Sequence, residues 1–177
     1  MSELAEAAKI TVFCLLAAIF YGILHDQVTA HLCVEYFSIA HPPIFHTNSP
    51  FLLAIGWGIL ATWWVGLPLG LCLAIAARLG PWPRMTLRQL RPLIHRLLLV
   101  MAISAILAGS IAALLTSMKA IKAPFGWDQV IPAEKWVAFT ADAWAHSASY
   151  LMGTAGGLCL IWLVLWHRWH ARPTGKP

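Results

Sequence analysis

Histidine and carboxylate residues are concentrated in one short stretch of an otherwise apolar chain. The stretch contains His25, Asp26, His31, Glu35, His41 and His46. Charged and imidazole side chains are costly at membrane depth, so in a membrane protein they usually mark a functional site. Histidine together with carboxylate is typical of metal sites and of sites that transfer protons. The stretch therefore predicts one of these two chemistries.

A second pair of the same residue types, Asp142 and His146, lies near the start of the last hydrophobic segment. Residues four apart share one face of an α-helix, and Tyr150 continues this face by one more turn. Two interpretations remain open. The two side chains could bind one metal together, or Asp142 could fix the tautomer of His146. The glycines that follow Tyr150 are typical of helices that pack closely in membranes.

The first hydrophobic segment offers more candidates than one site can use. If its helix continues past Leu24, His31 and Glu35 share one face, whereas His25 lies about 120° away from His31 around the axis. One straight helix cannot direct both histidines at a single point, so a single site must use a subset. The predicted metal ligands are His25, Asp26, Glu35, Asp142 and His146. Among them Glu35, Asp142 and His146 are the catalytic candidates, and the loop residues His41 and His46 are reserve ligands.

The expected cofactor is a divalent metal ion, either zinc or iron. Zinc accepts three or four nitrogen and oxygen ligands and can keep one position open for water. Two helices that each offer histidine and carboxylate resemble the metal sites of carboxylate bundle proteins, although the Glu-x-x-His pairs of the di-iron class are missing. Such a site predicts hydrolysis by a metal-activated water with a side chain as general base. A proton-coupled transporter or channel and a structural membrane subunit are the alternatives.

The composition indicates a membrane protein. The 177 residues are 60% hydrophobic and 11% charged, whereas a soluble domain is about a quarter charged. Four hydrophobic segments are each long enough to cross a bilayer, which takes about 20 residues. They cover roughly residues 4–24 (with an extension to 37 left open), 51–77, 93–118 and 136–166. We therefore predict one all-α domain over residues 1–177, an integral bundle of four transmembrane helices. The first segment lacks a cleavage site and is expected to be retained.

The basic residues predict the orientation of this bundle. Nine of the twelve Lys and Arg residues lie in the loop between segments two and three or near the two termini. By the positive-inside rule both termini are cytoplasmic, so residues 25–50 and 119–135 face outward with the candidate site. A site at headgroup depth favours a lipid or amphiphilic substrate. Membrane lipids are the expected partners, nucleic-acid binding is not expected, and a homo-oligomer is left open.

Residues 21–45 carry a recognisable pattern, YGILHDQVTAHLCVEYFSIAHPPIF. It resembles a motif of uncharacterised bacterial four-helix membrane proteins, which have a similar Y-G-x-x-H-D-Q-V-[ST] start, an E-Y-F centre and sometimes a following H-P. The resemblance covers about 25 residues of the chain. It implies a bacterial origin and a multi-pass protein of the inner membrane. It implies no particular reaction.

Overall fold

The computed structural model describes residues 2–171, apart from the side chain of Phe125. In this part of the chain the helices are α1 (Glu3–Leu32), α2 (Val34–Ser38), α3 (Pro50–Leu60), α4 (Trp63–Arg78), α5 (Leu87–Ser117) and α6 (Trp136–His170). Two short 3₁₀-helices, Pro124–Gln129 and Ala133–Lys135, connect α5 to α6. No β-strand occurs within the described residues. The predicted all-α class is confirmed.

Four helical spans are long and apolar enough to cross a membrane: α1, α3 together with α4, α5, and α6. Large apolar side chains are exposed along their outer faces, as suits contact with lipid rather than water. The predicted set of four membrane-spanning segments is confirmed in length and composition. The orientation of the bundle stays a prediction, and two of the basic residues that support it, Arg172 and Lys176, lie outside the described residues.

The first span ends between the two limits that the sequence left open. Helix α1 ends at Leu32, and Cys33 adopts the non-helical angles φ −148° and ψ 89° before α2 begins at Val34. The expectation that His31 and Glu35 share a helix face is therefore wrong, because the chain turns between them. His31 is exposed, and its ring nitrogen Nδ1 lies 2.7 Å from the carbonyl oxygen of Gln27 in its own helix.

The second span is broken in its middle, although the sequence predicted one helix over 51–77. The hydroxyl of Thr62 donates to the carbonyl oxygen of Gly58 at 2.6 Å. In a continuous helix that carbonyl would accept from the backbone N–H of Thr62, so the side chain competes with the helix. Pro68, which has no N–H to donate, weakens the next turns of α4. At the start of the span the hydroxyl of Ser49 accepts a hydrogen bond from the backbone N–H of Leu52, and Pro50 occupies the first turn.

The helices form two pairs that pack together. Helix α1 packs along α3 and α4, helix α5 packs along α6, and the pairs meet mainly where α4 contacts α6. The approach of α1 to α3 requires glycine. A Cβ atom on Gly58 would lie 2.6 Å from the backbone of Ile23. Helices in membranes associate through such contacts between small residues, because burial of apolar area gives little driving force there.

The two ends of the bundle differ in chemistry. At one end, here called the histidine end, Asp26 of α1 lies beside His146 of α6. At the opposite arginine end, Glu3 forms ion pairs with Arg78 and Arg84. The polar residues of the first loop and of the start of α6 thus lie at the same end, as predicted. Arg78 and Arg84, on which the predicted orientation partly rests, lie at the other end.

Candidate metal site

Three side chains meet at the histidine end: His25 and Asp26 from α1 and His146 from α6. One nitrogen or oxygen atom from each lies within 4.8 Å of those of the other two. Nε2 of His146 is 3.2 Å from Oδ1 of Asp26, and the two imidazole centroids are 4.5 Å apart. Asp26 is only 5% exposed. We call these three residues the His–Asp–His group, and all three belong to the predicted ligand set.

The ring of His146 is held by the backbone of its own helix. Its Nδ1 lies 2.8 Å from the carbonyl oxygen of Asp142. Because a carbonyl can only accept, Nδ1 carries a proton and Nε2 is the atom that faces Asp26. A carboxylate opposite this nitrogen requires a proton or a cation between them. One of the two interpretations left open by the sequence was that the Asp142 side chain fixes this tautomer, whereas its backbone carbonyl does so.

His25 adds a second available nitrogen. Its Nε2 is buried and has no hydrogen-bond partner among the described residues 2–171. Leaving a buried polar atom without a partner costs about 1–3 kcal/mol, so such an atom calls for an explanation. A cation held by His25, Asp26 and His146 would give it a partner. Two imidazoles and one carboxylate hold zinc in hydrolases and iron(II) in oxygenases, so this donor set suits the two predicted metals equally.

The carboxyl group of Asp142 lies outside the His–Asp–His group. Asp142 is 1% exposed, and neither of its carboxyl oxygens has a hydrogen-bond partner within the described part of the chain. An ionised carboxylate buried in this way would be very costly, so the group needs a proton or a nearby cation. Its predicted role as a metal ligand and catalytic residue stays a prediction. The structure places it one turn of α6 before His146.

Glu35 is held away from the group by other partners. Its carboxylate is 3.0 Å from Nζ of Lys135, and the thiol of the buried Cys33 donates to it at 3.4 Å. Partial burial would raise the pKa of Glu35, but bonds from its own backbone, Lys135 and Cys33 hold the pKa below its usual value. Burial raises the pKa of the Cys33 thiol to about 12, so the thiol stays protonated. The ion pair joins α2 to the start of α6.

The ion pair with Lys135 leads us to expect no catalytic role for Glu35, in contrast to the role that the sequence predicted. We expect Glu35→Gln to leave metal content unchanged and hydrolytic activity within about twofold, because the carboxylate serves an ion pair at the protein surface. The measurement is metal content and initial rate for the purified variant beside the wild type. A loss of metal in a folded Glu35→Gln protein would return Glu35 to the ligand set.

Aromatic rings surround the His–Asp–His group. The ring of Tyr36 stacks on His146 with centroids 4.5 Å apart. The backbone oxygen of Tyr36 lies 2.7 Å from Nδ1 of His41. The ring centroids of His41 and Trp57 are 4.7 Å apart. Burial lowers the pKa of His41 and raises the pKa of the Tyr36 phenol. Near neutral pH His41 is therefore an uncharged base and Tyr36 a hydrogen-bond donor. The other reserve ligand, His46, is exposed.

A central cavity of about 150 Å³ begins at this group and continues between the helices. Near the group its wall is polar, and the hydroxyls of Tyr21 and Ser149 bond to each other at 2.8 Å. The hydroxyl of Tyr150 donates to the carbonyl oxygen of Ala61 at 3.2 Å, in the break of the second span. Non-helical backbone at membrane depth is tolerated where it is buried in protein or lines a cavity. The helix break at Ala61 and Thr62 therefore forms part of the wall of this cavity.

Sequence reasoning missed Tyr21, Tyr36 and Ser149 as wall residues of this site. One signal was available, because Tyr36 lies on the stripe that begins at His25 and passes Thr29 and Leu32. Tyr21 and Ser149 gave no comparable signal. A lone tyrosine or serine in an apolar segment is recognised only when a partner helix is known to face it.

Comparisons of the chain with models of protein families, with curated proteins and with solved structures found no match. The class of the protein therefore rests on its own geometry. It is an all-helical protein with four segments able to span a membrane, and a largely buried His–Asp–His group at one end could hold a metal ion.

Proposed function

We propose that this protein is a metal-dependent hydrolase of the bacterial inner membrane that acts on a lipid or another amphiphile at the outer face. One observation carries the proposal. Donor atoms of His25, Asp26 and His146 converge within 4.8 Å at the mouth of a cavity that continues into the bundle. A metal ion and a bound substrate could therefore share this end of the protein.

In this mechanism the residues of the site have separate roles. His25, Asp26 and His146 would hold the ion, which would supply Lewis-acid chemistry and lower the pKa of a water molecule. The backbone carbonyl of Asp142 keeps His146 oriented. His41 accepts a proton from the attacking water, whose oxygen bonds to the acyl or phosphoryl centre as the bond to the leaving oxygen breaks. His41 then returns the proton to that oxygen.

Tyr36 is suited to assist the same step. Its raised pKa keeps the phenol protonated, with burial as the main cause and the carboxylate of Asp26 adding to it. A neutral donor in a site that excludes water stabilises negative charge as it develops on a substrate oxygen. Because the ring stacks on His146, its position is tied to that of a metal ligand.

The arrangement of charge supports the location of the site at the outer face. The arginines 78, 84 and 168 lie at the opposite end of the bundle, where the positive-inside rule expects the cytoplasm. The lining of the cavity argues against the alternative of a proton path through the bundle. Beyond Tyr21 and Ser149 most of its lining residues are apolar, and the hydroxyl of Thr62 and the thiol of Cys14 are too few to form a chain of proton carriers. Hydrolysis at the histidine end needs no such path.

The proposal is tested by measuring hydrolysis of long-chain p-nitrophenyl esters and phosphate esters by purified protein in nanodiscs. We expect release of nitrophenol that stops after chelation and returns after addition of zinc or iron(II). Activity that survives complete removal of metal would contradict the metal-dependent mechanism. Protein that holds its metal and hydrolyses neither class of ester would contradict the hydrolase proposal.

The pH profile of this activity tests the role of His41. Burial lowers the pKa of His41, the positive charge of His146 lowers it as well, and the backbone of Tyr36 and the charge of Asp26 act in the opposite direction. Because His41 works in its neutral form, kcat/KM should be full above the lowered pKa and fall as pH drops through it. The midpoint should lie below the ordinary value of about 6.5.

A cation bound at the group would lower the pKa of His41 further, so the sign of this expectation does not change. We expect His41→Ala to reduce kcat by at least about 100-fold and to remove this acidic limb. His31→Ala is the matched control, because His31 is exposed and remote from the cavity wall. An unchanged acidic limb in His41→Ala would assign the base to another residue.

A further inference from the structure

A cleft opens on the side of the bundle between α4 and α6. It has a volume of about 570 Å³ and is lined by Trp64, Val65, Pro68, Leu69, Tyr150 and Thr154. Val65, Leu69 and Tyr150 also line the central cavity, so the cleft and the cavity adjoin. Trp64 is 55% exposed on the outer surface of a helix that spans the membrane. The cleft therefore faces the region that lipid chains occupy.

The central cavity changes from polar to apolar along its length. It begins at His146 and reaches Leu160 on the same helix, a rise of about 21 Å, which exceeds half of the ~30 Å hydrocarbon core of a bilayer. Its deeper wall is formed by Leu73, Ile94, Leu97 and other apolar side chains. The cavity is therefore narrow for its length, with a volume of about 150 Å³.

We infer that the cleft between α4 and α6 is a lateral entrance through which one hydrocarbon chain of a bilayer amphiphile enters the central cavity. The head of the molecule then lies at the His–Asp–His group and the methyl end reaches Leu73 and Leu160. A second chain, where the amphiphile has one, remains in the bilayer outside the cleft. The role of the head rests on the proposed function, whereas occupation of the cavity by the chain does not require the metal.

The chain in this arrangement positions the substrate rather than providing affinity. Because it leaves the hydrocarbon of the bilayer for the apolar wall of the cavity, its transfer removes no apolar surface from water. The narrow passage instead fixes the direction of the molecule. The bond next to the head is then held at the metal site, as catalysis by orientation requires.

Photolabelling in nanodiscs tests this inference directly. The probes are two phosphatidylcholines that carry a diazirine on one acyl chain, either near the methyl end or near the head, and the labelled residues are mapped by mass spectrometry. The first probe should label inward residues at the depth of Leu73, Leu97 and Leu160, and the second should label the level of Tyr21 and Ser149. Labelling confined to lipid-facing residues with both probes would overturn the inference.

A variant that fills the cavity provides the matched comparison. A Cβ atom on Gly153 would lie 3.0 Å from the terminal methyl of Met101, a flexible neighbour, so Gly153→Leu can be accommodated while it occupies the passage. We expect at least a fivefold loss of inward labelling with unchanged outward labelling. Leu151→Phe adds bulk to a residue of the same helix that is 67% exposed, and it should change neither. Inward labelling that persists in Gly153→Leu would contradict the inference.

Metal analysis of the same samples separates this inference from the proposed function. Protein that holds metal and shows no inward labelling would reject the lateral entrance and leave the metal site intact. Protein that shows depth-ordered inward labelling without any metal would keep the entrance and reject the metal-dependent hydrolase.

Discussion

Asp26→Asn will reduce metal-dependent hydrolysis by at least about 100-fold and strip the protein of tightly bound metal. Loss of an outer partner of a metal ligand already costs 10- to 100-fold, and the replaced carboxylate here is a direct ligand in our proposal. The amide keeps the shape of the side chain but carries no negative charge. It can still donate to Nε2 of His146, which faces this position at 3.2 Å in the wild type.

The variant should therefore fold, which makes the experiment informative. Initial rates and metal content are measured together, and Glu35→Gln serves as the control because it removes a carboxylate at the same end without touching the group. We expect the two variants to differ by at least about fiftyfold in rate, given the losses predicted for each. Equal activity in Asp26→Asn and the wild type would remove Asp26 from the site.

Arg168→Met will destabilise the bundle by about 3–5 kcal/mol, because four backbone carbonyls lose a charged donor. Arg168 is 1% exposed, and its guanidinium donates to the four backbone carbonyls of Ala76, Leu79, Trp82 and Pro83. These carbonyls lie at the end of α4 and in the turn that follows, where no helical N–H groups remain to satisfy them. Methionine approximates the length of the side chain and removes every donor, so buried acceptors lose their partners.

The measurement is thermal unfolding of detergent-purified protein followed by helical circular dichroism. Arg88→Met is the matched control, because Arg88 is exposed on α5, and it should change the free energy of unfolding by less than about 0.5 kcal/mol. Arg168→Lys should recover only part of the loss, because an ammonium group has three donors for four carbonyls and lacks the planar fork of the guanidinium. Equal unfolding temperatures for Arg168→Met and Arg88→Met would contradict this account of Arg168.

The spans could be predicted from the sequence because each depends on a long apolar segment that a bilayer requires. The meeting of His25, Asp26 and His146 at one end also followed, since the order of the spans fixes which loops share a side. The breaks at Cys33 and at Ala61–Thr62 could not be predicted. At Thr62 the break depends on a local competition between side-chain and backbone hydrogen bonds, and the average hydropathy of a segment does not register such local geometry.

The sequence also could not predict which hydrogen-bond and ion-pair partners the polar residues would have. Glu35 has the right chemistry for a metal ligand, but a lysine 100 positions later takes it as an ion-pair partner. The orienting role of Asp142 was expected of its carboxylate, and the backbone of the same residue performs it. Arg168 was expected only to orient the chain, yet it is buried among carbonyls. Spacing along a chain predicts which residues are near each other, and only three-dimensional packing decides which atoms bond.

Metal content decides whether His25, Asp26 and His146 hold a metal ion as we propose. The measurement is plasma mass spectrometry of protein purified without chelator, beside a His25→Ala/His146→Ala variant shown by circular dichroism to be folded. We expect about one zinc or iron ion per chain in the wild type and none in the variant. Wild-type protein without metal, or a variant that keeps its metal, would contradict the proposal.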